Sequence, residues 1–119
     1  MNVHVKPGSL KGELQVPGSK SHTIRSILLA TLADGQTCIE NPLASGDGLS
    51  ALAAARAFGA IVQKEEHRWI VQGRGGDLVV PQNVVDTGNS GTTTCLFTSV
   101  ASLVDGYTVI TGDEQIRRR

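Results

Sequence analysis

The sequence predicts an α/β fold, in which short strands alternate with amphipathic helices along the chain. Three observations support this fold class. Apolar residues recur at helical spacing in some segments and cluster in short strand-like runs in others. The 119 residues include 14 glycines but only 3% aromatic residues, which suits a protein with many tight turns. Two stretches of the chain also resemble each other, which indicates an internal repeat.

The first predicted elements are two short strands and a helix. The strands, at 3–5 and 13–16, flank a Pro-Gly turn at 7–8. The helix spans 21–33 and ends at an Asp-Gly pair. It is predicted from four apolar residues that fall on one helical face: Ile24, Ile27, Leu28 and Leu32.

A strand at 37–40 and a second helix follow. Asp47 is predicted to cap the second helix, which runs to about residue 58, with Gly59 at its C-terminal end. Its inward-facing residues are expected to be Leu49, Leu52 and Ala53.

The second half of the chain is predicted to contain a hairpin and then a strand–helix–strand segment. Strands at 61–64 and 69–71 flank a polar turn. A strand at 84–85 leads into a glycine-rich turn and a helix that ends near residue 103. The last strand spans 107–111.

A shift of 71 residues places Ser19 on Ser90 and Thr23 on Thr94, and it aligns two D-G-x-T turns. Self-similarity at this spacing predicts a duplicated βαβαββ unit, with chance similarity as the alternative. One full unit would span about 17–80, and an incomplete second unit about 83–119. Because the second copy lacks a second helix and a closing hairpin, the chain is expected to be a fragment.

Composition argues against several classes of partner. Lys plus Arg and Asp plus Glu each number 11, so the zero net charge gives no reason to expect nucleic acid or an acidic membrane. No apolar run approaches the roughly 18 residues of a membrane span, and no signal peptide is recognised. The two cysteines form no CxxC pair and the three histidines lack ligand spacing. We therefore expect a cytoplasmic protein whose thiols are buried or incidental and which holds no metal.

The first candidate site is the sequence PGSKSHTIR at 17–25. Gly18 permits a tight turn, and the helix that follows begins with unpaired N–H groups. Lys20, Ser21 and Arg25 add two cations and a hydroxyl, which suits a phosphorylated or carboxylated ligand. The alternative is an ordinary helix cap with a solvated lysine and arginine.

Two further stretches are candidates. The sequence GNSGTTT at 88–94 combines glycines, which let a ligand approach the main chain, with three threonine hydroxyls; a plain turn is the alternative. Three arginines at 117–119 form either a solvated tail or an anion clamp, and their spacing does not decide between the two.

Together these stretches resemble the 5-enolpyruvylshikimate-3-phosphate (EPSP) synthase family. Its P-G-S/D-K-S-x-x-x-R motif is similar to 17–25, and its G-N-S/A-G-T motif to 88–92. Its T-G-D-x-x-x-x-R-P motif is similar to 111–119, as far as Arg119. The three motifs occur in the family's order, and the resemblance is collinear over essentially the whole chain.

The resemblance implies the enolpyruvyl transferase fold, an inside-out α/β barrel with two globular domains of three βαβαββ units each. Residues 17–119 would be part of the N-terminal domain, and 1–16 would be strands of the hinge or the other domain. The implied reaction transfers the enolpyruvyl group of phosphoenolpyruvate to the 5-hydroxyl of shikimate 3-phosphate and releases phosphate. It needs no metal or organic cofactor. A complementary C-terminal portion of the enzyme would be the protein partner.

The resemblance also assigns residues. Lys20, Ser21 and Arg25 would bind shikimate 3-phosphate, whereas Lys20, Gly91 and Arg119 would bind phosphoenolpyruvate. No catalytic residue is assigned within this chain, which would be inactive alone. The family commonly has an arginine where this chain has Cys95, so one expected cation is missing.

Two other interpretations remain. UDP-N-acetylglucosamine enolpyruvyl transferase shares the implied fold, but it usually has a K-N pair where this chain has Lys20-Ser21. Alternatively, the chain is a non-catalytic folding or complementation fragment that binds phosphorylated anions.

Overall fold

The structure, a computed structural model, describes residues 1–119 and confirms the α/β class with four helices and five strands. No helix in it combines the length and apolar character needed to cross a membrane. In chain order the elements are α1 (Lys20–Leu32), β1 (Gln36–Glu40), α2 (Gly46–Ala57), β2 (Ile61–Lys64), β3 (Arg68–Gln72), β4 (Val85–Asp86), α3 (Gly91–Ala101), β5 (Ile110–Thr111) and α4 (Glu114–Arg117).

The strands form two small sheets. An antiparallel sheet has the order β1-β3-β2, with Cys38 opposite Ile70 and Val62 opposite Val71. In the β2–β3 turn, a hydrogen bond from Arg68 to Glu65 raises the pKa of that arginine above its ordinary value. A parallel pair joins β4 to β5, and α3 is the crossover between them, as a βαβ connection requires.

The internal repeat is visible in how α1 and α3 begin. Ser19 and Ser90 are the N-cap residues of the two helices. The Thr23 hydroxyl donates to the Ser19 carbonyl at 2.8 Å, and the Thr94 hydroxyl donates to the Ser90 carbonyl at 2.9 Å. The 71-residue shift therefore aligns equivalent hydrogen bonds as well as equivalent residues.

One hydrophobic core joins the two repeats. Phe58, at the end of α2, stacks on Phe97 of α3 with ring centroids 6.0 Å apart. Both rings are fully buried, and Trp69 of β3 belongs to the same cluster of 15 buried residues. The incomplete second repeat is therefore packed onto the first by apolar burial, the dominant favourable contribution to folding.

The predicted details of α2 were partly wrong. Ser45 caps the helix, and Asp47 lies in its first turn. Leu52 is buried as predicted, but Leu49 and Ala53 are exposed, because α2 packs through small residues instead. A Cβ on Gly48 would lie 2.5 Å from the Leu43 carbonyl oxygen, so this helix approaches its neighbours too closely for a leucine stripe.

The helix α1 shows the same preference for small buried residues. Ile24 and Ile27 are buried as predicted, whereas Leu28 and Leu32 are only partly buried against the core. The remaining buried positions are small or polar: Thr23, Ala30 and Thr31.

Two predictions at the chain ends were also wrong. The structure has no strand before Lys20, so its first regular element is α1. The apolar residues of 3–5 and 13–16 are exposed and pair with nothing, and a strand requires a partner for its backbone groups. The last strand has two residues rather than five, because its partner β4 is equally short.

Candidate anion-binding site

The two repeats enclose a groove of about 610 Å³ between α1, the start of α3 and α4. We call it the Arg25–Arg119 groove. Its lining consists of Arg25, Gly91, Thr92, Thr94, Cys95, Leu96, Ile116 and Arg119. Three of the five residues predicted to bind substrate thus converge here from both ends of the chain.

Two guanidinium groups in this groove have no counter-ion. Neither Arg25 nor Arg119 forms an ion pair, and no acidic residue lines the groove. Arg25 donates only to the neutral Ser21 carbonyl, at 3.3 Å. Because guanidinium groups bind carboxylates and phosphates through paired hydrogen bonds, the groove is suited to an anion.

The start of α3 adds backbone donors. The Ser90 hydroxyl oxygen accepts a hydrogen bond from the Thr93 N–H, and the Ser90 carbonyl accepts one from the Thr94 N–H. The N–H groups of Gly91 and Thr92 have no acceptor within the protein. Unpaired N–H groups and the helix dipole give this end of α3 a partial positive charge that favours anions.

Only one of the three predicted threonine donors is free. The Thr93 side chain is buried and its hydroxyl lies 2.8 Å from that of Ser90. The Thr94 hydroxyl donates to the Ser90 carbonyl. Thr92 lines the groove and its hydroxyl has no protein partner, so it remains available to a ligand.

Gly91 lies directly against Arg119. A Cβ added to Gly91 would overlap a guanidinium nitrogen of Arg119, and it would lie 3.7 Å from the Ile116 side chain. The absence of a side chain at this position therefore leaves room for the arginine in the groove.

Arg119 is held by the short helix α4, which the sequence analysis missed. Asp113 caps this helix, because its Oδ1 accepts the Ile116 N–H at 3.0 Å. An aspartate is a preferred N-cap residue, so Asp113 was the sequence signal that could have predicted α4. The Arg119 N–H donates to the Ile116 carbonyl at 3.1 Å. Of the three terminal arginines, only Arg119 lines the groove, whereas Arg118 pairs with Glu114.

The other two predicted site residues lie outside the groove lining. Lys20, at the start of α1, has its Nζ 2.8 Å from Oδ2 of Asp47. Ser21 is exposed one residue further on. Cys95 is a free, exposed thiol in the groove, and nothing in the structure explains its replacement of the family's usual arginine.

An arginine pair without counter-ions, a helix N-terminus and a glycine contact together form a candidate anion-binding site on a repeated α/β fold. A family model described as EPSP synthase (3-phosphoshikimate 1-carboxyvinyltransferase) matches residues 5–119. The chain belongs to the EPSP synthase family. This match supports the first interpretation of the motifs over a UDP-N-acetylglucosamine transferase.

Relatives described as 3-phosphoshikimate 1-carboxyvinyltransferase include one from Ruminiclostridium cellulolyticum, 49% identical over all 119 residues. One from Methanothermobacter thermautotrophicus is 50% identical over 96% of the chain. The chain spans only 28% and 27% of these two relatives. The solved structure of EPSP synthase from Acinetobacter baumannii matches this chain with a TM-score of 0.78 and 29% sequence identity. The match covers 91% of this chain and 25% of the Acinetobacter chain.

Proposed function

We propose that the chain supplies the N-terminal part of an enolpyruvyl transferase of the shikimate pathway. The complete enzyme would transfer the enolpyruvyl group of phosphoenolpyruvate to the 5-hydroxyl of shikimate 3-phosphate and release phosphate. The observation that carries this proposal is the convergence of Arg25, Gly91 and Arg119 on one groove without a carboxylate. Family membership supports the same activity.

The proposed roles follow from charge and position. Both substrates carry a phosphate and a carboxylate, so the enzyme must hold several negative charges close together. Arg25, with Lys20 and Ser21 on the same helix, binds shikimate 3-phosphate. Arg119 binds an anionic group of phosphoenolpyruvate beside Gly91, and Lys20 contacts both substrates after exchanging its contact with Asp47 for one with a ligand.

The proposal assigns the remainder of the chemistry to a complementary portion. The chain spans 28% of its Ruminiclostridium relative, so the general acid and base and the other substrate contacts lie in sequence that it does not contain. Residues 17–119 form part of the N-terminal domain, and 1–16 extend to the hinge or the other domain. We place the assembled enzyme in the cytoplasm.

Ligand titration tests the binding part of the proposal. The chain is titrated with shikimate 3-phosphate while backbone amide shifts are followed by NMR, and we expect perturbations centred on 19–25. Arg25→Ala should weaken binding about tenfold, the expected loss for one charge-assisted contact. Arg56→Ala is the matched control, since Arg56 also donates to a backbone carbonyl but lies outside the groove. Equal affinities for wild type and Arg25→Ala would contradict the assignment.

Turnover is tested by complementation. The chain is mixed with the unmatched remainder of the Ruminiclostridium relative, and phosphate release from both substrates is measured. Activity should require both portions and should be lost with Arg119→Ala. A stable complex without turnover would support the alternative, a complementation fragment that only binds anions.

A further inference from the structure

We propose that Asp113 is a positioning residue for Arg119 and that it acts through a hydrogen bond from Asn89. The inference rests on the proposed function, because it explains how the groove keeps its phosphoenolpyruvate-binding arginine in place. Neither Asp113 nor Asn89 lines the groove, so neither is expected to touch a ligand.

The carboxylate of Asp113 joins two segments that are distant in sequence. Its Oδ1 accepts the Ile116 N–H at 3.0 Å and so starts the helical turn that leads to Arg119. Its Oδ2 accepts the Asn89 side-chain N–H at 2.5 Å. Asn89 lies two residues before Gly91, against which Arg119 packs. The Asp113 side chain therefore links α4, which holds Arg119, to the segment that contains Gly91, which Arg119 contacts.

Backbone contacts make this junction tight. The Asp113 N–H donates to the Gly88 carbonyl at 2.9 Å, and the Thr87 N–H donates to the Thr111 carbonyl at 2.9 Å. A Cβ on Gly112 would lie 2.6 Å from the Gly88 carbonyl oxygen, so the two segments have no room between them. The Asn89–Asp113 hydrogen bond extends this backbone junction to the side chain that caps α4.

An isosteric exchange separates this role from simple helix capping. Asp113→Asn keeps an oxygen that can cap α4, since asparagine is also a favourable N-cap residue. It replaces the charge-assisted hydrogen bond with a weaker neutral one, because the Asn89 amide must rotate to present its oxygen to the new amide. The double variant Asn89→Asp/Asp113→Asn exchanges carboxylate and amide, and it restores the charge-assisted hydrogen bond with unchanged net charge. Glu114→Gln is the control, because it removes one exposed carboxylate at the neighbouring position.

Two measurements follow these variants in the 119-residue chain. The first is the nuclear Overhauser effect between Gly91 Hα and the Arg119 side chain, without ligand. We expect it in wild type, in the double variant and in Glu114→Gln, and we expect its loss in Asp113→Asn. The second is the dissociation constant for phosphoenolpyruvate and, separately, for shikimate 3-phosphate.

Asp113→Asn should weaken phosphoenolpyruvate binding about tenfold and leave shikimate 3-phosphate binding within about twofold, because only the former is assigned to Arg119. The double variant should recover wild-type affinity. In an Arg119→Ala background, Asp113→Asn should have no further effect. A general loss of structure would instead weaken both ligands and would not depend on Arg119.

The inference is overturned if Asp113→Asn keeps both the Gly91–Arg119 signal and phosphoenolpyruvate affinity. It is also overturned if the affinity loss persists in the Arg119→Ala background. If wild type binds no phosphoenolpyruvate but the Gly91–Arg119 signal responds as expected, the assignment of phosphoenolpyruvate binding to Arg119 fails, whereas the positioning of Arg119 by Asp113 stands.

Discussion

The ammonium group of Lys20 lies 2.8 Å from the carboxylate of Asp47, and this ion pair joins the first turns of α1 and α2. The side chain of Lys20 is 56% exposed and that of Asp47 is 20% exposed. Solvent therefore weakens their attraction, and exposed pairs of this kind contribute at most about 1 kcal/mol to stability. We expect the pair to matter more for binding, because it neutralises a cation that is proposed to contact both substrates.

Asp47→Asn should change the free energy of unfolding by less than about 1 kcal/mol, since it removes a partly exposed pair. It should strengthen binding of inorganic phosphate by about twofold to fivefold, because the positive potential at the start of α1 rises. Chemical denaturation and phosphate titration measure the two effects. Asp105→Asn is the control, with the same charge change at an exposed residue that forms no ion pair. Weaker phosphate binding by Asp47→Asn would show that Asp47 orients Lys20.

Gly91→Ala should weaken phosphoenolpyruvate binding about tenfold, because the new methyl group would displace the Arg119 guanidinium. Stability should not fall, since the displaced group is the end of a flexible side chain and alanine favours helix over glycine by up to about 1 kcal/mol. Calorimetric titration and thermal denaturation test these expectations.

Gly46→Ala is the matched control for this substitution. Gly46 and Gly91 are the first residues of α2 and α3, and each follows a serine cap. A Cβ on Gly46, however, would have no heavy atom within 4 Å. Unchanged affinity in Gly91→Ala would contradict a role for the Gly91–Arg119 contact in binding.

Phe97→Ala should lower the free energy of unfolding by about 3–5 kcal/mol, the usual cost of removing a buried phenylalanine ring. Trp69, the single tryptophan, is buried in the first repeat, so its fluorescence reports on that repeat while the substitution lies in the second. We expect the Trp69 transition to move to lower denaturant, because Phe97 stacks on Phe58 in a shared core. An unchanged Trp69 midpoint would mean that the repeats unfold independently. Leu103→Ala, at an exposed residue, should change stability by less than about 0.5 kcal/mol.

Phosphoenolpyruvate should protect Cys95 from alkylation and leave Cys38 reactive. Both thiols are free and exposed, but only Cys95 lines the Arg25–Arg119 groove, so Cys38 is an internal control. Alkylation rates at each residue are measured by mass spectrometry with and without ligand. Equal protection of both thiols, or none, would argue against binding in this groove.

Local structure was largely predictable from the sequence. The strand at 61–64 was predicted with its observed bounds, α1 begins and ends within one residue of its predicted limits, and α2 begins two residues before its predicted start. These elements depend on residues a few positions apart: polar caps, glycine stops and runs of β-branched residues. The errors at Leu49 and Ala53 arose where close packing onto neighbouring elements outweighed helical periodicity.

The sequence by itself determined the fold class, the repeat, the family and the candidate residues, because hydrogen-bonding patterns and motifs are properties of short stretches. Only the tertiary structure decided which candidates meet. It brings Arg25 together with Gly91 and Arg119 through the packing of α1, α3 and α4, and it pairs Lys20 with Asp47 instead. The capping of α4 by Asp113 and its link to Asn89 were equally inaccessible, since they depend on contact between segments distant in sequence. Such contacts are set by the shared core, whose shape no local pattern specifies.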